Sequence, residues 1–437
     1  MKLDSRVQMR LPLVLLICLL VHDGSHAFSI SGDSKNAIIV GGGPVGLATA
    51  LTLSNAPHFY NVTLLEQTGG TGAYDPTKAY MYNINSRGQE WTREFPAVQA
   101  LLTERGSSSG MSGIVIVPAD PNEPIPPEKS MIVSQESNKD TSYWIPRHTM
   151  TVLLEEVIAE QETKRKQGSL RVGKVDLLVS KRFELMQTRD GLVEVTVQDT
   201  RDTNVRFQEK YVGHFVIGAD GINSAVRNCL ADETATSTTW LNTTPKRFRV
   251  KAWKSPATDL RIRVLQFPPG FEIPDVDGKT LRTNSERFYA IRSAFKGPRN
   301  FLSLGLLPVK DPNSVRPTNV ITRPNHEIWS LSTGAEMKMW FTRAFPRLQL
   351  DSLISDQEWA RFTATKGTAF PHCQYCPKLQ VSHPSGQVGV ALVGDSAHAF
   401  PPDIGKWLCC RLPFVLLPTC ADSFNYHFPP QVKESML

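Results

Sequence analysis

Cysteine is sparse in this 437-residue sequence and follows no pattern: Cys18, Cys229, Cys373, Cys376, Cys409, Cys410 and Cys420 form an odd set without regular spacing. That argues against a disulfide-stapled scaffold. Concentrated charge of one sign is missing too. The net charge of +6 is spread along the chain, and the longest basic cluster, Lys164-Arg165-Lys166, reads as the solvated face of a helix. A nucleic-acid partner, which needs a basic patch or stripe, is therefore not expected. No apolar run reaches the ~20 residues of a membrane span, and no internal repeat is visible. What composition does provide is 41% hydrophobic and 21% charged residues, enough for two or three domain-sized units with substantial cores.

The longest apolar run, LPLVLLICLLV (11–21), follows Lys2, Arg6 and Arg10 and precedes Ser25-His26-Ala27, whose Ser25 and Ala27 are the small residues of a cleavage site. Residues 1–27 read as a signal peptide or targeting leader that takes the chain into the secretory pathway. Cleavage leaves no mature transmembrane span, whereas an uncleaved leader would act as a membrane anchor. The junction Ser-His-Ala-Phe resembles that of the bipartite plastid leaders of algae with secondary plastids, so the plastid is a further destination. In that case the sequons at Asn61-Val62-Thr63 and Asn242-Thr243-Thr244 are chance matches.

AIIVGGGPVGLATALTLSNA (37–56) passes from a β-branched run through glycines into a helical pattern, and NVTLLEQ (61–67) supplies a second strand. Gly41, Gly43 and Gly46 have the spacing that dinucleotide binding requires: a tight turn, backbone close to a pyrophosphate, and close helix–strand packing. The helix N-terminus offers amides to phosphates, and Glu66, at the end of the second strand, can accept ribose hydroxyls. Residues 105–143 read as long excursions around one short strand, GIVIV (113–117), and 149–166 as a helix. Strand-like runs follow at 175–179, 192–198, 214–220 and 389–395. The fold expected is α/β: a Rossmann-like dinucleotide-binding domain over 36–240 and 380–405, interrupted by a mostly β substrate domain over 241–379, with a tail at 406–437.

FVIGADGINSAVR (215–227) and VALVGDSAHAFPPDIG (390–405), following the glycine fingerprint in this order, resemble the motifs of the FAD-dependent aromatic hydroxylases, the single-component flavoprotein monooxygenases. The resemblance covers residues 36–405 and implies FAD as cofactor. It assigns Gly218, Asp220, Gly221, Ser224 and Arg227 to a motif near the pyrophosphate that is implicated in NAD(P)H use. Gly394, Asp395, Ala397, His398, Pro402 and Gly405 match the motif whose aspartate binds the ribityl chain and whose Pro-x-x-Gly lies beside the flavin ring. Arg147 stands where the family carries an arginine to the FAD phosphate and ribityl region, and Lys78 is a candidate flavin-side contact. By resemblance, NAD(P)H is the co-substrate and reduces FAD; dioxygen then forms a C4a-hydroperoxide that hydroxylates a small aromatic substrate. The arginine that kynurenine 3-monooxygenases use for the substrate carboxylate has no counterpart in SSGMSGIVIV (108–117), which leaves kynurenine without support.

Other residues invite chemistry and are given plainer roles. His372, Cys373 and Cys376 lack the further ligands of a zinc site, so no metal is expected and a surface loop is the reading. His398 reads as structural, behind the flavin. Trp253, Phe267, Phe288, Tyr289, Trp329, Trp340 and Phe341 suit a cavity wall or the sheet core. A flavoprotein reductase would place a redox cysteine pair soon after the second strand, and 67–110 contains no cysteine. After Gly405 the family continues Gly-Gln-Gly-x-Asn into a helix, but this chain has Lys406, Trp407 and a proline-studded tail. Gly-Lys-Trp can be encoded GGT-AAG-TGG, which contains a strong splice donor, so the tail reads as translated intron. The alternative to an active monooxygenase is accordingly an FAD-binding fragment without turnover.

Overall fold

The computed structural model describes residues 35–56, 60–70, 81–108, 114–127, 142–201, 208–232, 245–297, 300–383 and 388–400. The leader, Asn242, Lys78, Pro402, Gly405 and the tail lie outside them. Two six-stranded sheets organise the chain.

The first sheet has the order Gln380–Ser382, Gly389–Leu392, Phe215–Gly218, Lys35–Val40, Tyr60–Leu65, Val175–Leu178. Its strands are parallel except for the edge strand Gln380–Ser382. The run AIIV is apolar without alternation because both faces of its strand are covered. Ala37 and Ile39 point into a core with the helices Pro44–Ser54 and Arg147–Lys166. Ile38 and Val40 point the other way, against the antiparallel ribbon Lys181–Arg189, Leu192–Asp199, Gln208–Gly213. The helix expected over 149–166 starts two residues earlier, at Arg147, because Met150, Leu153, Leu154 and Val157 continue one buried stripe back to the strand Tyr143–Pro146.

The second sheet has the order Thr368–Ala369, Arg261–Phe267, Arg316–Thr322, Ser303–Leu306, Phe288–Arg292, Ile114–Val117. Ile114–Val117, within the short strand expected at 113–117 in the first domain, supplies this sheet's edge strand, pairing parallel to Phe288–Arg292. Val115 and Val117 enter the core there, so the substrate domain is not one continuous stretch beginning at 241. It also holds the helices Gly334–Ala344 and Asp356–Ala364, whose Trp340, Phe341, Trp359 and Phe362 pack on Leu265, Phe267 and Val320. Truncating a fully buried aromatic such as Phe341 or Trp359 to alanine is expected to cost about 3–5 kcal/mol. Beyond Ile262 the strand Arg261–Phe267 pairs with no further strand on this edge among the described residues, and an ion pair covers it: Glu358 accepts the Gln266 N–H at 2.7 Å while Arg361 donates to the Val264 carbonyl at 2.8 Å.

A three-stranded sheet of Lys251–Trp253, Cys373–Tyr375 and His398–Ala399 ties the third motif to the second domain. Cys373 and Cys376 are buried here, each 2% exposed, instead of lying in a surface loop. The Cys376 thiol lies 3.3 Å from the Phe248 carbonyl and 3.0 Å from that of Lys378, which places it in packed backbone.

Candidate dinucleotide site

After Val40 the chain turns at Gly41 with φ of +107°. A Cβ there would lie 2.5 Å from the Ala219 carbonyl oxygen, and one at Gly46 would lie 1.9 Å from the Gly41 carbonyl oxygen, so neither position admits a side chain. Gly43 caps the helix Pro44–Ser54 without any side-chain cap, and the first turn carries no acidic residue. Its free amides and the helix dipole make this end an anion site. A Cβ added to Gly43 would meet nothing nearer than Arg147 Nη2, at 3.9 Å, so the space over the turn is open and a guanidinium faces it. The opening and the charge together fit a pyrophosphate.

Glu66 closes one side of this turn. Its Oε2 accepts the Gly42 N–H at 2.7 Å, and its Oε1 accepts the Thr68 N–H at 2.9 Å and the Thr68 hydroxyl at 2.8 Å. A carboxylate offers about four acceptor positions, so capacity for a ribose hydroxyl remains. On the helix Arg147–Lys166, Glu155 Oε1 is buried with no hydrogen-bond partner among the described residues. Burial first, and then the Glu66 charge, push the Glu155 carboxyl up to about 7.

The second and third motifs meet behind the turn. Asp220 packs its backbone against Gly41, but its carboxylate is engaged locally, accepting from the Ser224 hydroxyl at 2.6 Å and from the Ala225 and Val226 amides at 2.6 and 3.1 Å. Ser224 caps the helix Ala225–Ala231, its hydroxyl accepting the Arg227 N–H, and burial raises the Asp220 carboxyl pKa despite its donors. Arg227 is buried, and its guanidinium donates to the carbonyls of Ile222 and Ser396 at 2.8 and 3.0 Å. Ser396 Oγ in turn sits 2.5 Å from the Gly218 carbonyl oxygen. Gly394 turns with φ of +62°, where a Cβ would come within 3.0 Å of Val45 Cγ1. The third motif therefore rests on the first turn of the glycine helix, with Asp395 half-buried at the junction.

Gly41, Gly43, Gly46, Glu66, Arg147, Gly394 and Asp395 are thus brought together, and Asp220 supports the turn from behind. Gly42, Thr68 and Ser396 went unread in the sequence. The first two act through backbone and a short hydroxyl, and Ser396 inside GDSAHA gives no sign of a contact with a strand far back in the chain. His398 is buried on its short strand, beside Phe400. Of the seven aromatic residues expected at the cavity or in the core, Phe267, Tyr289, Trp340 and Phe341 are core. Trp253 is 41% exposed and stands 5.9 Å from Tyr375 and 6.4 Å from Phe400, ring to ring, against the third motif. These rings form an apolar shelf where the third motif leaves the described residues.

A family model described as FAD binding domain matches residues 34–408. No curated protein matches the chain in sequence. Among solved structures, the tetrameric form of 2-methyl-3-hydroxypyridine-5-carboxylic acid oxygenase is similar over 92% of this chain and 85% of its own, at 16% identity and a TM-score of 0.54. Pseudomonas aeruginosa PqsL in complex with 2-aminobenzoylacetate is similar over 90% of this chain and 86% of its own, at 18% identity and a TM-score of 0.54. The flavin-dependent monooxygenase PieE, in complex with FAD and substrate, matches 88% of this chain and 56% of its own, at 16% identity and a TM-score of 0.51. With the dinucleotide geometry in place and the family model spanning most of its length, the chain belongs to the FAD binding domain family and has the fold of flavin-dependent monooxygenases.

Proposed function

We propose that the protein is an FAD-dependent, NAD(P)H-consuming monooxygenase that transfers one atom of dioxygen to a small aromatic substrate. The observation that carries this reading is the convergence of the glycine turn, Glu66 and the Gly394–Ser396 turn on one opening faced by Arg147. There the helix Pro44–Ser54 and Arg147 would hold the pyrophosphate, Glu66 the ribose, and Asp395 the ribityl chain. When bound, FAD supplies the redox chemistry, taking electrons from the nicotinamide and passing them to dioxygen. The protein's own work is to bind and orient the ring and to keep water away from it. Trp253, Tyr375 and Phe400 offer apolar surface for that.

The second sheet supports the substrate class. Its helices cover one face. The other carries Ile116, Phe288, Ala290, Gly305 and Ile321, which are apolar and only half-buried, with Asn319 Oδ1 buried among them and without a partner among the described residues. An unsatisfied buried acceptor suits a ring bearing an N–H or O–H donor. Of the structures above, the oxygenase is named for 2-methyl-3-hydroxypyridine-5-carboxylic acid and PqsL is in complex with 2-aminobenzoylacetate, both small ring compounds. A second reading, an FAD-binding chain without productive turnover, rests on Lys406 and Trp407, which stand where the resemblance calls for glutamine and glycine.

The test is an absorption spectrum of the purified protein followed by NAD(P)H oxidation under labelled dioxygen. A flavin spectrum with label in an aromatic product supports the monooxygenase. A flavin spectrum with NAD(P)H consumed wholly to hydrogen peroxide favours the second reading, and a colourless protein that takes up no added FAD sinks both.

A further inference from the structure

Buried arginines in this fold spend their donors on fixed acceptors. Arg227 bonds the carbonyls of Ile222 and Ser396. Arg316, fully buried, bonds those of Leu307, Asn284 and Arg287. Arg347 bonds the Pro274 carbonyl and lies 3.5 Å from Asp275, which leaves only its Nε without an acceptor among the described residues. Arg263 departs from this pattern. Its Nε and Nη1 are buried with no hydrogen-bond acceptor among the described residues.

Arg263 and Arg261 are two positions apart on the strand Arg261–Phe267, so both side chains leave the same face of the sheet. Register pairs them with Val320 and Thr322, at the end of the face that carries Leu265 and Phe267 into the helical core. The Arg263 guanidinium carbon stands 4.9 Å from the Trp329 ring centroid and 5.7 Å from that of Phe362. Two ring faces fix the plane of the guanidinium and ease the burial of its charge, but they do not accept its in-plane N–H groups. The acids close in sequence or space are engaged elsewhere: Glu358 pairs with Arg361, and Asp259 faces Lys254 and His372. The charge that bears on Arg263 is Arg261, of the same sign, which adds to burial in lowering its pKa. Both arginines and Trp329 keep partial exposure, so this rim of the core opens to solvent.

A half-buried guanidinium with two N–H groups shut away from water and without an acceptor is unfavourable, and a planar fork with a second arginine two positions along the same face matches an oxyanion with two acceptor oxygens. We propose that Arg263 and Arg261 form a binding site for a carboxylate or phosphate group, at the rim of the second sheet where Trp329 and Phe362 stack on the Arg263 fork. The site is separate from the dinucleotide site and does not rest on the flavin reading.

The experiment follows the thermal unfolding midpoint of the purified full chain titrated with sodium benzoate or with sodium phosphate, at ionic strength held constant with chloride. The expected result is a saturable rise with at least one of the two anions, its half-saturation point moved up about tenfold or more in Arg263→Gln and in Arg261→Gln, as loss of a charge-assisted hydrogen bond implies. A response to benzoate alone assigns the site to carboxylates, and one to phosphate alone to phosphate-bearing ligands. If Arg263→Gln does not fold, the half-exposed Arg261→Gln decides by the same criterion. No saturable rise above the chloride control, or a rise that the folded variants retain unchanged, overturns the proposal.

Discussion

Arg227 donates from Nη1 to the main-chain carbonyl of Ser396 at 3.0 Å, joining two motifs that are 169 positions apart. With Ser396 Oγ against the Gly218 carbonyl, this contact fixes the height of the Gly394–Ser396 turn over the parallel sheet. Arg227→Met removes both carbonyl contacts and leaves the acceptors buried. The expected loss is about 2–3 kcal/mol in urea unfolding, with FAD retention on gel filtration reduced in parallel. Stability and flavin content equal to wild type would show that packing alone holds the turn.

Gly46→Ala is expected to abolish FAD binding and to leave little folded protein. The added Cβ would stand 1.9 Å from the Gly41 carbonyl oxygen, a backbone atom that cannot rotate away. Gly69→Ala is the control, since its Cβ would meet only Ser180 Oγ, at the ordinary distance of 3.8 Å. That substitution should change stability by no more than about 0.5 kcal/mol. Circular dichroism and flavin absorbance of both variants check the contrast, and a Gly46→Ala protein that is folded and yellow would contradict the packing geometry.

Glu66→Gln tests whether the second strand's carboxylate serves a ligand as well as the turn. The amide keeps one acceptor oxygen but replaces the other with a donor facing the Gly42 N–H, which it cannot satisfy. FAD affinity is expected to fall by about tenfold or more. Thr68→Val removes one hydroxyl contact to the same carboxylate and should weaken affinity by less. Fluorescence titration of the apoprotein with FAD reads both, and equal losses would place Glu66 in turn maintenance alone.

The first sheet was legible because its signals are local. A β-branched run, three glycines at fixed spacing and an acidic residue at the next strand end each report a backbone requirement within one βαβ unit. The second sheet was legible only in outline. Ile114–Val117 is four residues long and joins a strand that begins at Phe288, and nothing in GIVIV marks its partner. The helices Gly334–Ala344 and Asp356–Ala364 lie within 241–379, where a mostly β domain was expected, yet Trp340, Phe341, Trp359 and Phe362 are buried residues of helical faces. Asp220 shows the limit of motif reading. Its place near the pyrophosphate was implied by the resemblance, but not that its carboxylate is used on Ser224 and the following amides.

Glu155 gives the site a pH dependence whose sign follows from its environment. Burial, then the neighbouring Glu66 charge, raise its carboxyl from the ordinary 4.5 to about 7, so the folded protein holds this proton when the unfolded chain has lost it. Between those values the folded state binds more protons, and the contribution of Glu155 to stability therefore falls as pH rises through the window, then levels above it. Glu155→Gln removes that slope. Because the residue is partly exposed, the full shift overstates the effect, and the variant should gain on the order of 1–2 kcal/mol relative to wild type between pH 5 and pH 8. Urea unfolding of both proteins at the two pH values measures it. The difference between variant and wild type must be more favourable to the variant at pH 8 than at pH 5; one that is constant across the range would mean that Glu155 ionises as an ordinary surface carboxylate and that Oε1 finds a partner in solution.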